Sequence, residues 1–183
     1  MGKVECMDDF FKLLHPRPVV LIVAQGRSKV NAMACSWCTP ISEEPPTVGV
    51  VLARESYTRE LILESKEFTI NIPSRELLSA VWIAGTKSGR DVDKIKLMNV
   101  TLKPSKKIST PIIEECIGHL ECKVMSWYEI GECTLIVGEV LSAYADEDKL
   151  YRGNWDVRKA EVLLHLGGSV FVIPSKQVYL ATK

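Results

Sequence analysis

The sequence predicts a mainly β protein, an antiparallel barrel with short peripheral helices, formed by one domain over residues 1–183. Roughly six or seven segments have the length and the apolar or alternating pattern of strands, whereas helical spacing is confined to short stretches. The two longest strand patterns, 118–128 and 133–144, flank a Glu-Ile-Gly-Glu sequence that predicts a hairpin turn. Because no internal repeat or low-complexity linker interrupts the chain, we expect a single domain.

The bounds of the other elements follow from capping and helix-breaking residues. Helices are predicted over 8–15, 56–65 and 74–84, since Asp8, Ser56 and Ser74 can cap them and Pro16 and Gly85 can end the first and the third. Strands are predicted over 19–24, 30–40, 47–53, 68–72 and 170–173, with a turn over 26–29 and one or two helical turns within 91–98.

Composition argues against several classes of partner. The chain has 23 Lys and Arg against 23 Asp and Glu, and this balance provides no field that would attract nucleic acid or acidic lipid. The apolar stretch 19–24 is too short to span a membrane. The first residues lack the basic and apolar regions of a signal peptide. We therefore expect a soluble cytoplasmic protein with no membrane and no nucleic-acid partner.

The six cysteines are interpreted mostly as buried thiols. Cys35 and Cys38 look like a redox dithiol, but residues three apart on a strand point to opposite faces, which disfavours that interpretation. Structural zinc is disfavoured too, because Cys116 and Cys122 are spaced more widely than in the usual zinc motifs. No metal site is predicted.

The histidines and tryptophans have ordinary interpretations on pattern alone. His119 falls on a polar strand face, where it would be solvated or at an interface. Trp82 and Trp127 are interpreted as core or interface aromatics. His165 precedes Gly167-Gly168, whose backbone allows close approach, and taken alone it would be structural.

The strongest local signal is a strand that runs directly into a helix. The buried strand 47–53 is followed by Arg54, Ser56, Tyr57 and Thr58, where free backbone N–H groups, hydroxyls and a guanidinium suit a phosphate monoester. The alternative is that Ser56 only caps the helix and Arg54 is solvated, and spacing alone favours that alternative. The turn lacks the Gly-rich pattern of a nucleoside triphosphate loop.

Several motifs together resemble the flavin reductase and flavoredoxin family. The motifs are Arg17-Pro18 before an apolar strand, the run Asn31 to Ser42 followed by Glu44-Pro45-Pro46, Arg54-x-Ser56-Tyr57-Thr58, Glu67 to Pro73, Ser88-Gly89-Arg90-Asp91-x-Asp93-Lys94, and Leu163 to Gly168. Their order and spacing match over residues 15–175, and the combination raises the phosphate interpretation above the cap alone. Where many relatives have small or hydroxyl residues, this chain has Trp37 and Cys38, and a bulky Trp37 would cover the flavin or narrow access to it.

The resemblance implies a Greek-key-like split barrel that binds FMN and forms a homodimer with the flavin near the subunit interface. It places one set of residues along the flavin ring and ribityl chain, namely Asn31, Ala32, Met33, Ala34, Ser36, Trp37, Cys38 and Thr39. It places Arg54, Ser56, Tyr57 and Thr58 at the phosphate, and Asn71, Ile72 and Lys94 near the cofactor. It places His165 near the ring or near the approach of a nicotinamide, as a candidate catalytic residue.

The activity that the resemblance implies is electron transfer through FMN. NADH or NADPH would reduce the flavin, which would pass electrons to free flavin, ferric iron or a redox protein. One alternative is a flavoredoxin-type protein that binds FMN without a nicotinamide site, and another is an interaction protein stabilised by metal at its cysteines. The chain lacks the Gly-rich dinucleotide fingerprint, so a nicotinamide would bind in an open cleft beside the flavin.

Overall fold

The computed structural model describes residues 2–27 and 29–181, and it is built mainly from short antiparallel strands. The strands are β1 (Arg17–Pro18), β2 (Val20–Gln25), β3 (Val30–Cys35), β4 (Cys38–Glu43), β5 (Pro46–Ala53), β6 (Glu67–Ile72), β7 (Leu102–Lys103), β8 (Ile112–Ile113), β9 (Gly118–Ile130), β10 (Cys133–Ala145), β11 (Leu150–Tyr151), β12 (Asn154–Trp155), β13 (Leu164–Gly167) and β14 (Val170–Val172). The α-helices are α1 (Tyr57–Ser65), α2 (Leu78–Thr86) and α3 (Lys94–Met98), and 3-10 turns cover Met7–Leu14, Arg75–Leu77 and Glu147–Lys149.

The main sheet has the strand order β3-β2-β6-β9-β10-β5-β4, and all of its pairs are antiparallel. The long hairpin of β9 and β10 lies near its centre, with Ile130 opposite Cys133 at the turn. A smaller sheet, β1-β13-β14, lies at one end. These pairings confirm the mainly β, antiparallel prediction, including the hairpin.

Apolar side chains form two cores on the two faces of the main sheet. One contains Ile22, Val50, Phe68, Ile70 and Ile136, all at most 1% exposed. The other packs α2, α3 and residue Leu163 against β2 and β3. Burial of each such side chain contributes about 1.5–3 kcal/mol. The second core fixes α2 over β3, and this pair forms the walls of the cleft described below.

The predicted strand 30–40 is wrong, because the chain changes partner at Ser36-Trp37. Before this point β3 pairs with β2, and after it β4 pairs with β5. The Trp37 carbonyl oxygen accepts a hydrogen bond from Val51 N at 2.8 Å, which fixes the corner. The alternation of small and large residues continues through Ser36-Trp37 and concealed this change of partner.

The predicted helix starts and stops are only partly correct. Ser56 caps α1 through a bond from Arg59 N at 3.4 Å, as predicted. Ser74 makes no side-chain cap bond, and α2 continues through Gly85 to Thr86. The first segment is a 3-10 turn with Cys6 rather than Asp8 at its start. The predicted turn 26–29 includes Ser28, which lies outside the described residues.

His119 is buried, so its predicted exposure is wrong. It is 6% exposed and lies opposite Asn71 on the neighbouring strand. Its Nδ1 lies 3.0 Å from Asn71 Oδ1. Glu121, on the same face, is fully buried because its carboxylate accepts bonds from the backbone N–H groups of Lys106 and Lys107. A loop that folds over the strand therefore buries a face that looks polar in the sequence.

Candidate functional site

A cleft between α2 and β3 contains two connected cavities. The large chamber, about 510 Å³, is bounded by β3, α2 and the β13–β14 hairpin. The small chamber, about 200 Å³, is bounded by β3, the start of α1 and the loop after α2. Ala34 and Gly85 line both cavities, so the cavities adjoin at these two residues, and this point is called the neck below. An elongated ligand that passed this neck would occupy both chambers.

Gly85 sets the width of the neck. It lies in the last turn of α2, and a Cβ added there would approach the Ala34 Cβ at 3.5 Å, which is ordinary contact. The fold therefore accommodates a Cβ at this position, and a longer side chain would extend toward the two cavities that Gly85 lines. The sequence predicts Gly85 as the end of the helix, and it gives no sign that this glycine lines the cleft.

The small chamber collects donors at the start of α1. The buried Thr58 hydroxyl accepts a bond from Asn31 Nδ2 at 2.8 Å, which leaves its own proton free to donate. The Ser56 hydroxyl contacts the Met33 sulfur at 3.2 Å, a weak acceptor that an anion would readily replace. The first N–H groups of the nine-residue helix α1 also lack helical partners. This end of the cleft therefore suits an anion.

Two lysines bring positive charge to the same chamber. Lys94 is 5% exposed, and its ammonium donates to the carbonyl oxygens of Ala84 at 2.7 Å and Ala32 at 3.1 Å. An ammonium has three N–H donors, so one remains for a ligand. Burial lowers the pKa of Lys94 to about 8. Lys87 is exposed at the rim, and Glu55 is the carboxylate on the opposite side.

The loop after α2 is held tightly against the small chamber. Gly89 is buried, and a Cβ there would lie 2.1 Å from Asn31 Oδ1. Lys29 donates to the Gly89 carbonyl oxygen, and Arg90 lies over the Tyr57 ring at 4.9 Å. Because any side chain at position 89 would collide with the Asn31 amide, the glycine there allows Asn31 to donate its hydrogen bond to Thr58.

Arg54 does not line the small chamber, contrary to the expected placement. Its Nε lies 3.0 Å from Glu129 Oε2, and a terminal nitrogen donates to the Gly131 carbonyl oxygen at 3.3 Å. Glu129 also pairs with Arg59. The guanidinium therefore braces the β9–β10 hairpin, and the lysines that line the small chamber are Lys87 and Lys94.

The large chamber is mainly apolar and has a histidine on its wall. His165 Nε2 lies 3.0 Å from the Gly168 carbonyl oxygen, and since a carbonyl can only accept, Nε2 carries the proton. Nδ1 is then an acceptor. The His165 ring packs against Phe171 at 5.1 Å and His15 at 5.2 Å. Trp82, 43% exposed, lies on the rim together with Phe171.

The structure brings together only part of the expected site. Asn31, Met33, Ala34, Ser36, Ser56, Tyr57, Thr58, Lys94 and His165 line the two chambers. Ala32 contributes its carbonyl to Lys94, and Cys38 and Thr39 lie on β4 beyond the corner. Trp37 packs against the core and against Phe11 at 6.2 Å, and does not line the large chamber.

Asn71 and Ile72 lie away from the two chambers. Asn71 is fully buried, and its amide donates to the Leu21 carbonyl and to Thr69 Oγ1 while its oxygen accepts from Ile113 N. This side chain is therefore used to join strands. Sequence reasoning missed Trp82, Gly85, Lys87 and Phe171 as lining residues. Trp82 and Gly85 lie on the mainly apolar helix α2, Lys87 follows it, and Phe171 lies on β14, so only the tertiary packing brings them to the cleft.

The thiols of Cys35, Cys116 and Cys122 are buried, and that of Cys38 is half-buried against the core. Burial raises the pKa of Cys35 to about 11 and that of Cys38 to about 12. Burial also raises the pKa of Cys116 and Cys122. We expect these four thiols to react with a disulfide reagent at pH 8 at least about a hundredfold more slowly than free cysteine. Titration of the native and the denatured protein measures this, and rapid formation of a Cys35–Cys38 disulfide would contradict it.

Fold and cleft together describe an antiparallel barrel protein whose cleft is mainly apolar at one end and lined by two lysines and the start of α1 at the other. Residues 12–170 match the flavin reductase like domain. An uncharacterised protein of Pyrococcus abyssi is 39% identical over 171 residues, which are 93% of this chain and 98% of that protein. The chain belongs to the flavin reductase like family, and its fold is the split barrel.

The chain is similar to proteins of two kinds, a flavoredoxin of known structure and a flavin oxidoreductase. The flavoredoxin of Methanosarcina acetivorans superposes with a TM-score of 0.89 at 30% identity, covering 100% of this chain and 97% of that one. An NADPH-flavin oxidoreductase of Streptomyces viridifaciens is 28% identical over 128 residues, 69% of this chain and 65% of that protein. None of the helices in the described ranges is long and apolar enough to cross a membrane.

Proposed function

We propose that the chain is an FMN-binding oxidoreductase in which the cleft holds the flavin ring in the large chamber and the phosphate in the small one. The observation that carries this proposal is the neck at Ala34 and Gly85, which joins an apolar cavity to a cationic one. FMN has the same sequence of parts, with a flat ring, a ribityl chain and a phosphate. When bound, FMN supplies hydride acceptance and onward electron transfer.

In this proposal the chain's own residues would bind FMN and fix its orientation in the cleft. Ser56, Thr58 and the start of α1 donate to the phosphate, and the third N–H of Lys94 adds a charged donor. Val81 and Phe171 contribute apolar surface that excludes water from the ring. His165 offers an acceptor, Nδ1, at the ring end, and the Gly168 carbonyl fixes its tautomer. We assign no essential acid or base.

A reduced nicotinamide is the electron donor in this proposal, and free flavin, ferric iron or a redox protein is the acceptor. The open rim at Trp82 gives a nicotinamide access to the large chamber, and the Streptomyces relative named NADPH-flavin oxidoreductase supports this choice. The second candidate is a flavoredoxin-type carrier that uses no nicotinamide, which the Methanosarcina flavoredoxin supports. In either case we place the protein in the cytoplasm as one domain.

Rapid mixing separates these two candidates. FMN-loaded protein is mixed without oxygen with NADH or NADPH, and the loss of flavin absorbance is followed. Reduction that saturates with nucleotide concentration supports the reductase. If dithionite reduces the bound flavin but neither nucleotide does, the carrier is correct.

We infer a homodimer as well. Large apolar side chains remain 43–62% exposed along β4 and the β9–β10 hairpin, namely Ile41, Met125, Trp127, Tyr128 and Ile130. Surfaces of this kind mark interaction sites, and symmetric dimers are the commonest soluble assemblies. Light scattering at micromolar concentration should give twice the 20.5 kDa chain mass. A monomer mass with FMN bound would refute this inference.

Lys94 makes FMN affinity dependent on pH. A bound phosphate favours the ammonium form, so affinity is fully present below the Lys94 pKa of about 8 and is lost as pH rises through it. The loss is at most about tenfold per pH unit. Riboflavin, which has no phosphate, provides the control. The ratio of the two affinities is measured from pH 7 to 9.5, and a constant ratio would contradict the role of Lys94.

A further inference from the structure

A second apolar cavity lies behind the large chamber, on the other face of the strands that form its wall. Its volume is about 240 Å³. The lining side chains are hydrocarbon apart from one indole, and include Val20, Ile72, Trp155, Ala160, Val162 and Leu164. Most of the lining is half-buried, whereas Val20 and Ala160 are buried at 4% and 1% exposure. The buried residues Val20 and Ala160 therefore close the cavity at its base, and its lining is apolar throughout.

Strand alternation separates this cavity from the large chamber. β1 pairs with β13, with Arg17 opposite His165 and Pro18 opposite Leu164. Val19 and His165 line the large chamber, whereas Pro18, Val20 and Leu164 line the second cavity. Successive residues of a strand face opposite sides, so the two cavities share a wall but no lining residue.

We propose that the second cavity binds one small uncharged apolar molecule, with a single ring of about benzene size. A cavity of about 150 Å³ with a comparable apolar lining is large enough for benzene. Its walls lack the partners that a charged or strongly polar ligand needs, which excludes those classes. Trp155 supplies an aromatic face, and its indole is held against Gly118, where a Cβ would lie only 2.9 Å from the ring.

The ligand enters from the more accessible side of the cavity, where the lining residue Pro18 is exposed. Displacement of water from these apolar walls drives binding, and with no hydrogen bond to add, a Kd on the order of 1 mM is expected for benzene. A ligand here presses on β13 from behind and leaves the His165 side free. This site is therefore independent of flavin and can be tested in the flavin-free protein.

The experiment is a benzene titration of the full chain, followed by the methyl NMR signals of valine and leucine. We expect saturable shifts at Val20, Val162 and Leu164, and any response at Val19 and Val81 reports separately on benzene in the large chamber. Ala160→Leu fills the cavity and should abolish the shifts. Ala181→Leu adds the same side chain at an exposed position outside the lining of this cavity and should retain them.

Three results would overturn the proposal. The first is the absence of saturable shifts in the wild type, and the second is shifts that are confined to Val19 and Val81. The third is a dimer in light scattering that Ala160→Leu converts to monomers, because the cavity would then be covered by a second copy of the chain. If Ala160→Leu does not fold, Val162→Phe, at a half-buried lining position, fills the same space and replaces it.

Discussion

Gly85→Leu should abolish tight FMN binding while the protein remains folded. The new side chain would project into the neck that joins the two chambers, and one ligand could no longer occupy both. We expect FMN affinity to fall at least about a hundredfold, which corresponds to about 2.7 kcal/mol. Leucine is favoured over glycine in a helix by up to about 1 kcal/mol, so the melting temperature should not decrease. Quenching of flavin fluorescence measures the affinity.

Two further variants make this prediction specific. Gly85→Ala adds only a Cβ that the fold accommodates at 3.5 Å from Ala34, and should have a smaller effect on FMN. Ala143→Leu, outside both chambers, should bind FMN as the wild type does. Near-normal FMN affinity in folded Gly85→Leu would show that no ligand passes the neck.

Lys87→Ala should weaken FMN selectively. Lys87 lies at the rim of the small chamber, where its ammonium can pair with a phosphate. A charge-assisted hydrogen bond contributes about 1.5–3 kcal/mol, so FMN should bind roughly tenfold to a hundredfold more weakly. Riboflavin should start weaker and change little. Titration of both flavins into both proteins measures the difference.

Arg54→Ala is the matched control for this charge. The sequence suggested Arg54 for the phosphate, whereas the structure pairs its guanidinium with Glu129. Removal of Arg54 should therefore change FMN affinity by no more than about twofold to threefold, because its exposed ion pair contributes little. A selective loss of FMN in Arg54→Ala, with none in Lys87→Ala, would restore the assignment made from sequence.

Local sequence patterns predicted the parts of the fold that depend on neighbouring residues. The extended conformation of β9, the hairpin turn and the Ser56 cap all depend on residues close in the chain, and all three are present. The corner at Ser36-Trp37 could not be predicted, because it depends on which strands lie on either side. The burial of His119 was hidden for the same reason, since a distant loop covers its strand.

The residues of the candidate site fall into the same two groups, those found from local patterns and those that depend on tertiary contacts. Most residues of the motifs that lie on one segment, such as Asn31, Met33 and Ala34 or Ser56 to Thr58, line the cleft. Arg54 lies outside the lining, and its partner, Glu129, is 75 residues away in the chain, so no local pattern reveals this pairing. Lys87 and Gly85 carry no motif, and their roles arise from the packing of α2 over β3. Tertiary contacts therefore decide which polar residues face the ligand.

Equilibrium titration of flavin-free protein with FMN, followed by the flavin absorbance bands, tests the two-chamber site most directly. The account predicts saturation at one FMN per chain, with perturbed bands from the apolar ring chamber and a weaker affinity for riboflavin. Failure of FMN to saturate the folded protein, or equal affinities for FMN and riboflavin at pH 7, would contradict it.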